Sequence, residues 1–357
     1  MNNLQVNIVK TLKEFELLKN EWIEIEKNNS EVSYYSTFNY NYNWLKAYLN
    51  NKINLFTIVI YNNKKIIGIA PLIIEKRTKL KLKYRVLKFI GKGDFFNFII
   101  DNNQNNYSAI IKEIFKTIEN NNEWDKLILT QISQKSKLAE YIFRNDKYNK
   151  YFSPIVECPC LRLSDFNSFD EYKKRFKIDK ECKYYLNRMK KNINFKFKVI
   201  NSKYENIYDK LKALHIKEQE YLKKEKNRNE RGSVFQGNEN DRFFRNIFLN
   251  NENNITFLIE DENNQIISYY NCYVFNGKIH FWNTGYDFNY VKYTPSKIVN
   301  YLMFEYMYNN NMTNYIFDFG AGRYPWKFKW TNEFNMIYKF EMINKYTNKG
   351  KIFSILK

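Results

Sequence analysis

The stretch from residue 278 to residue 330 constrains the fold more than any other part of the chain. A mostly apolar run at 278–286 leads into a loop and then Thr294-Pro295-Ser296-Lys297. An apolar stripe follows at Ile298, Leu302 and Tyr306, and a second run lies at 314–319. Thr294 suits a helix N-cap, and Pro295 suits the first helical position, where no backbone N–H is needed. The stripe recurs at i, i+4 and i+8, as on one face of an α-helix. The expected order is strand, loop, helix, strand. Upstream, strands are expected at 255–260 and 266–275. The latter meets the 278–286 run at Asn276-Gly277, a dipeptide that readily takes the positive φ of a tight hairpin turn.

The run at 314–319 delivers the carboxylate of Asp318. Gly320 and Gly322 then open the backbone, and Arg323, Lys327 and Lys329 place three cations within seven residues. Such a strand end can hold a polar substrate and neutralise a phosphate or a developing oxyanion. Asp318 fits two roles. It can stabilise the turn through the N–H of Gly320 or Gly322, or it can bind an acceptor as general base. Lys327 and Lys329, two apart, share a face if the strand continues, either toward a phosphate or carbonyl or as a solvated basic edge.

This Asp318–Trp330 pattern resembles the C-terminal signature of the CelD-like (cellulose-biosynthesis type) acyltransferases, a branch of the GNAT superfamily related to the Fem-type aminoacyltransferases. In that family an Asp-Phe pair, a glycine turn and a Tyr-Lys-basic-basic-aromatic run occur in this order. The resemblance covers roughly residues 165–330 well and 30–130 more loosely. The looser part rests on Phe38 with Trp44, Ile67-Gly68 with Ala70-Pro71-Leu72, and Gly91 with Asp94-Phe95. It implies an α+β (α/β layered) fold of two tandem GNAT-like domains, each a mixed, mostly antiparallel sheet flanked by helices. It also implies acetyl-CoA or another acyl-CoA as co-substrate, with the pyrophosphate at the helix N-terminus. There Thr294, Ser296 and Lys297 are the donor-site candidates, together with Tyr286. Free N–H groups and the helix dipole favour an anion at such a tip by roughly 0.3–1 kcal/mol per charge. The family usually has glycine where Ser296 stands, and a side chain there crowds a phosphate.

By the same resemblance Asp318, Lys327 and Asp94 are candidate catalytic residues; from their own chemistry Arg323, Lys329 and His215 are candidate substrate contacts. Each has a plainer reading. Asp94 can cap a turn after Gly91 and Gly93. His215, between Leu214 and Ile216 on a helix, reads equally as a core or surface histidine, and His280 alternates with Ile279 and Phe281. Tyr286 and Tyr290 are candidate proton donors among 30 tyrosines.

A chain of 357 residues suggests two domains of ordinary size, divided here at 1–160 and 161–357. With 44% hydrophobic and 18% aromatic residues a real core can form. An echo at an offset of 200 residues supports duplication: Leu49-Asn50-Asn51 against Leu249-Asn250-Asn251, and Ile66-Ile67-Gly68 against Ile266-Ile267-Ser268. In the first copy an amphipathic helix is expected around Leu12, Phe15, Leu18, Trp22 and Ile25. A helix with Trp44, strands at 55–61 and 66–75, a basic hairpin leading to 86–90, a helix at 109–119 and a strand at 126–131 complete it. In the second copy Ser168 caps a helix running to about Asn192. A strand at 195–200, a helix with Leu211, Leu214, His215 and Glu218, and a polar loop at 223–240 follow. Asn-rich runs such as 102–106 read as loop filler.

The net charge of +20 favours anionic partners: nucleic acid, phosphorylated small molecules or an anionic membrane surface contacted peripherally. Residues 75–92 form one basic cluster and 173–198 a second. Cys158, Cys160, Cys182 and Cys272 make no C-x-x-C pair, which suits a reducing cytosol. With two histidines no zinc constellation, and so no metal, is expected. The opening Met1-Asn2-Asn3 lacks a signal-peptide core, and no apolar run has the length of a membrane span. The expected location is cytoplasmic, including the inner membrane face.

Three functions fit. The first is a GNAT-type N-acyltransferase moving an acyl group from acyl-CoA to an amine of an amino sugar or cell-envelope precursor, nucleotide-linked acceptors included. That acceptor class comes from the resemblance alone. The second is a Fem-type transferase using aminoacyl-tRNA, which the basic charge suits. The third is a non-catalytic nucleic-acid-binding protein with 75–92 as its footprint. Direct attack by an amine needs no nucleophile triad, and none is visible.

Overall fold

The computed structural model describes residues 4–79, 81–104, 106–201, 207–229, 232–249 and 251–355. Of the sequence expectations, Met1-Asn2-Asn3, Asn105, Asn250 and residues 230–231 of the polar loop lie outside these. The chain forms two compact units, Met1–Cys158 with Asn335–Lys357, and Pro159–Phe334.

The first unit opens with β1 (Gln5–Val9), α1 (Leu12–Leu17), α2 (Lys19–Lys27) and α3 (Phe38–Tyr48). The single amphipathic helix expected here is broken in two: Leu18 N–H turns back to the Phe15 carbonyl, tightening the last turn of α1. The apolar face survives the break, because Phe15, Leu18, Trp22 and Ile25 are all buried. Next come β2 (Ile53–Leu55), β3 (Thr57–Asn62), β4 (Lys65–Ala70), β5 (Leu72–Lys79), β6 (Leu82–Phe89), β7 (Ile99–Ile100), α4 (Tyr107–Glu119), β8 (Lys126–Ser133) and α5 (Lys137–Phe143). Strands β1, β3, β4 and β7 make one antiparallel sheet. In the other, β2, β5 and β6 are antiparallel, while β6 and β8 run parallel with α4 as their crossover. Ile110, Ile111, Ile114, Phe115 and Ile118 bury one side of α4.

The second unit begins within β9 (Phe152–Arg162) and continues through α6 (Phe169–Phe176) and α7 (Asp179–Asn192). Ser168 accepts the Glu171 N–H as the expected cap, but the helix stops at Lys177, which takes a left-handed φ of 54°. Then follow β10 (Phe195–Asn201), α8 (Ile207–Glu225), α9 (Asn238–Leu249), β11 (Asn254–Asp261), β12 (Ile266–Phe275), β13 (Lys278–Tyr286), α10 (Pro295–Asn309) and β14 (Ile316–Asp318). The expected 223–240 loop is shortened at both ends, by α8 reaching Glu225 and by α9 starting at Asn238. The strands lie in the order β10-β11-β12-β13-β14-β9. All pairs are antiparallel except β13 with β14, which α10 joins as a parallel crossover. On one face Phe257, Ile259, Ile279, Phe317 and Phe319 pack with Ile298, Val299, Phe304 and Met307 of α10. Helix α8 packs on β13 and β12, where Tyr269, Asn283 and Gly285 face it.

The chain ends with β15 (Glu333–Ile343) and α11 (Asn348–Ile355). From Asn335 these residues belong to the first unit, where β15 pairs antiparallel with β8. The division at 160/161, with everything to residue 357 in the second domain, therefore differs from the structure at its C-terminal end. The second unit is a mixed, mostly antiparallel sheet flanked by helices, and the first divides its strands between a four-stranded antiparallel sheet and a mixed one, again with helices against them. Among the described residues no helix is long and apolar enough to cross a membrane.

Candidate functional site

Strands β13 and β14 pair only at Lys278–Ile316, Ile279–Phe317 and His280–Asp318. Strand β14 then ends, while β13 continues to Tyr286. The sheet therefore forks at His280 and Asp318. Because residues alternate along a strand, Phe317 and Phe319 turn toward Phe304 of α10, and Asp318 turns to the opposite face. His280 lies beside it, its Nδ1 2.9 Å from Asp318 Oδ2. Both side chains are buried. The other carboxylate oxygen accepts the Gly320 N–H at 2.8 Å. Asp318 thus makes the turn contact open to it from sequence, and it also orients His280, whose alternation with Ile279 and Phe281 suggests only packing.

The basic residues of 323–330 separate. Residues 327–329 form a 3₁₀ turn and not a strand, so Lys327 and Lys329 do not share a face. Lys327 is buried and donates to the carbonyls of Gly320 at 2.6 Å and Ala321 at 3.0 Å. It closes the glycine turn from below, with the rings of Tyr324 and Trp326 nearby. Gly320 and Gly322 hold φ of 74° and 114°, which a side chain would strain. Arg323 and Lys329 are exposed.

At the tip of α10, Pro295 occupies the first turn as expected, but Thr294 is left-handed at φ 51° and its side chain caps nothing. Its carbonyl accepts both Lys297 N–H and Ile298 N–H. The hydroxyl Oγ1 is buried with no hydrogen-bond partner in the protein. The Ser296 amide has no carbonyl one turn earlier to receive it. Lys297, a donor-site candidate, is bonded to Glu181 of α7. That bond, with Lys329 near, holds the Glu181 carboxyl below its usual range. Arg188 lies over the Tyr293 ring. An orphaned hydroxyl, an open amide and surrounding cations fit an anionic diphosphate; the side chain of Ser296 and the Lys297–Glu181 bond fit it less well.

Across the sheet, Glu218 of α8 is buried and reaches Gly285 of β13. A Cβ on Gly285 would come within 3.3 Å of Glu218 Oε2 and 2.9 Å of the Tyr269 ring, so the close approach depends on glycine. Burial pushes the Glu218 carboxyl up to about 8, against pulls from Arg228 and the Tyr286 amide. Burial likewise raises the Tyr286 phenol to about 12, with Glu218 adding to the rise. Next to this pair, Tyr269 donates to Asn283 Oδ1. A register shift between β12 and β13 at Asn271/Cys272 re-aims this end of β13. Glu218 thus faces the part of β13 that β14 leaves uncovered. One sign of it is local: a carboxylate inside the buried stripe Leu211, Leu214, His215, Leu222.

His215, one turn before Glu218, is a different case. It is buried against Phe235 with Nδ1 2.8 Å from Ser233 Oγ, and burial pulls its pKa down to about 4. Its ring face and Nδ1 are thus both engaged within the second unit. Asp94 lies in the first unit, near enough to Tyr40 to help raise its phenol.

Residues 182–328 match the acetyltransferase (GNAT) domain family. No curated protein sequence matches the chain. Among solved structures, FemX is similar at TM-score 0.57 and 10% identity, covering 99% of each chain. L-PGS from Bacillus licheniformis is similar at TM-score 0.55 and 12% identity, covering 96% of this chain and 95% of that one. A tandem GNAT protein from the clavulanic acid biosynthesis pathway is similar at TM-score 0.50 and 6% identity, covering 96% and 100%. The second unit thus holds the stretch that is similar to the GNAT domain, and the chain as a whole has the α/β fold of tandem GNAT-like proteins.

Proposed function

We propose that the protein is a GNAT-type acyltransferase that passes an acyl group from acyl-CoA to an amine by direct attack. The observation that carries this reading is the fork. Two parallel strands part at His280 and Asp318, beside a helix whose tip offers the Ser296 amide and Thr294 hydroxyl. A thioester held in the fork has the donor's diphosphate on the α10 side and its carbonyl open to the α8 side. There the acceptor amine attacks, the C–N bond forms and the C–S bond breaks. Glu218 takes the amine proton, and the thiolate leaves to be protonated. Alignment of two bound substrates supplies on the order of 7–11 kcal/mol. A carboxyl poised near 8 suits proton removal at neutral pH. His280, held by Asp318, orients the acceptor, and the Gly320 turn, braced by Lys327, shapes the end of the fork. Arg323 and Lys329, at the exposed rim, draw in an anionic acceptor such as an amino-sugar phosphate or cell-envelope precursor.

The test is calorimetric titration of the protein with acetyl-CoA, followed by mass analysis of a panel of amines after incubation. Saturable binding and an acylated amine are expected. Binding of neither acetyl-CoA nor longer acyl-CoA rejects the thioester donor.

A second donor is favoured by the likeness to FemX and L-PGS together with the charge of +20. An aminoacyl ester on tRNA presents the same kind of carbonyl to the fork. Salt-sensitive tRNA binding without a response to acyl-CoA selects it.

A further inference from the structure

The first unit has a fork of its own. Strands β6 and β8 pair in parallel only at Val86–Lys126 and Leu87–Leu127. Beyond that point a cavity of about 260 Å³ lies between Lys88 and Phe89 of β6, Gln131 of β8, and the loop carrying Lys92 and Phe96. The rings of Phe89 and Phe96 stack at 5.6 Å and 21° to make an apolar wall. Gly91 at the rim holds φ 97°, and a Cβ there would meet the Tyr40 ring at 3.1 Å, so a larger residue would crowd the entrance.

Gln131 is the informative residue. It takes φ 63° inside a strand, a conformation costing about 1–2 kcal/mol for a residue with a side chain. The β8–β15 register slips beside it. The side chain so placed buries Oε1 with no hydrogen-bond partner in the protein. A buried acceptor left unpaired costs a further ~1–3 kcal/mol, so a strained residue that also wastes an acceptor points to a partner from outside. Two cations stand at the same cavity. Lys92 is exposed and forms no ion pair among the described residues. Lys88 is half-buried, bonded to Glu75 at 3.3 Å, and burial holds its ammonium below the usual range. Glu75 also binds Arg77, and Asp94 lies on the same loop as Lys92, so three cations stand against two carboxylates and the net charge around the cavity is positive.

We propose that this cavity binds a phosphate-bearing molecule of sugar size, its phosphate between Lys88 and Lys92, its ring on Phe89 and Phe96, and a hydroxyl donating to Gln131 Oε1. A dianion calls for more than one cation, which a carboxylate does not. The volume admits about one six-membered ring with its phosphate and leaves no room for a polymer, so nucleic acid on the basic 75–92 segment is not the occupant. The site stands on the first unit alone and does not depend on the transfer reaction.

The test is calorimetric titration of the full chain with glucose 1-phosphate, glucose and inorganic phosphate. Glucose 1-phosphate is expected to saturate with Kd below ~1 mM and to bind at least about tenfold tighter than glucose or phosphate. Lys92→Glu, at an exposed position, is expected to weaken it about tenfold or more with the melting temperature unchanged, and Gln131→Glu to weaken it by a similar factor. No saturation with glucose 1-phosphate, equal binding of inorganic phosphate, or indifference to both variants overturns the proposal.

Discussion

His280 Nδ1 lies 2.9 Å from Asp318 Oδ2 at the last paired position of two parallel strands. Beyond it the strands separate, so this contact marks both the end of the pairing and the start of the space between them. Asp318→Asn keeps the shape of the side chain and its bond from the Gly320 N–H, but offers His280 a donor in place of an acceptor. We expect turnover to fall at least about tenfold, with a loss of stability of about 1–3 kcal/mol measured by urea unfolding. Unchanged turnover would remove the pair from the site.

Lys327 is a brace and not a free cation. Lys327→Ala leaves the carbonyls of Gly320 and Ala321 without the donor that now closes them, and should cost about 1–3 kcal/mol in urea unfolding. Native stability in this variant, with activity alone lost, would instead make Lys327 a contact to substrate.

Glu218 gives the protein a pH signature. Its carboxyl is pushed from the usual 4.5 to about 8 in the folded protein. Between those values the folded state keeps a proton that the unfolded chain has released, so stability falls as pH rises from about 4.5 to about 8 and then levels. Glu26, pushed by burial to about 7, adds a slope that ends earlier. Glu218→Gln should melt higher than the parent at pH 8.5 and the same near pH 4.5, in a melting series across pH. As the general base, the carboxylate should also make the parent's rate rise with pH to a plateau near 8. Glu218→Gln should lose that rise and about a hundredfold in kcat. A parent-like pH–rate profile in the variant would assign the proton transfer elsewhere.

Glu181 competes for the helix tip. Its bond to Lys297 draws an ammonium away from any anion held by Ser296 and Thr294. Glu181→Ala is therefore expected to strengthen acetyl-CoA binding by about two- to fivefold, the scale of one charge at a helix end. Weaker binding would mean that Glu181 serves to hold Lys297 in place for the donor.

The elements around the fork were legible because local rules fix them. Asn276-Gly277 turns with φ 45° and 72°, and Pro295 starts α10 where its missing N–H costs nothing. Thr294 shows the limit. The residue type promised an extended backbone with a side-chain cap, and the chain adopts a left-handed one that orphans the hydroxyl. Lys327 misled because alternation was carried past the glycine turn into a 3₁₀ segment. Glu218 and His280 were hidden differently. Each sits among apolar neighbours on its own element, and the partner that gives it meaning, Gly285 or Asp318, lies on another strand. The return of β15 to the first unit is likewise a long-range pairing that no local pattern announces.

Crystals grown with acetyl-CoA test the central claim most directly. The diphosphate is expected against the Ser296 amide and Thr294 hydroxyl, with the thioester entering between residues 281–286 of β13 and the Gly320 turn. Acetyl-CoA bound away from α10, leaving the fork filled by protein side chains, would contradict the account.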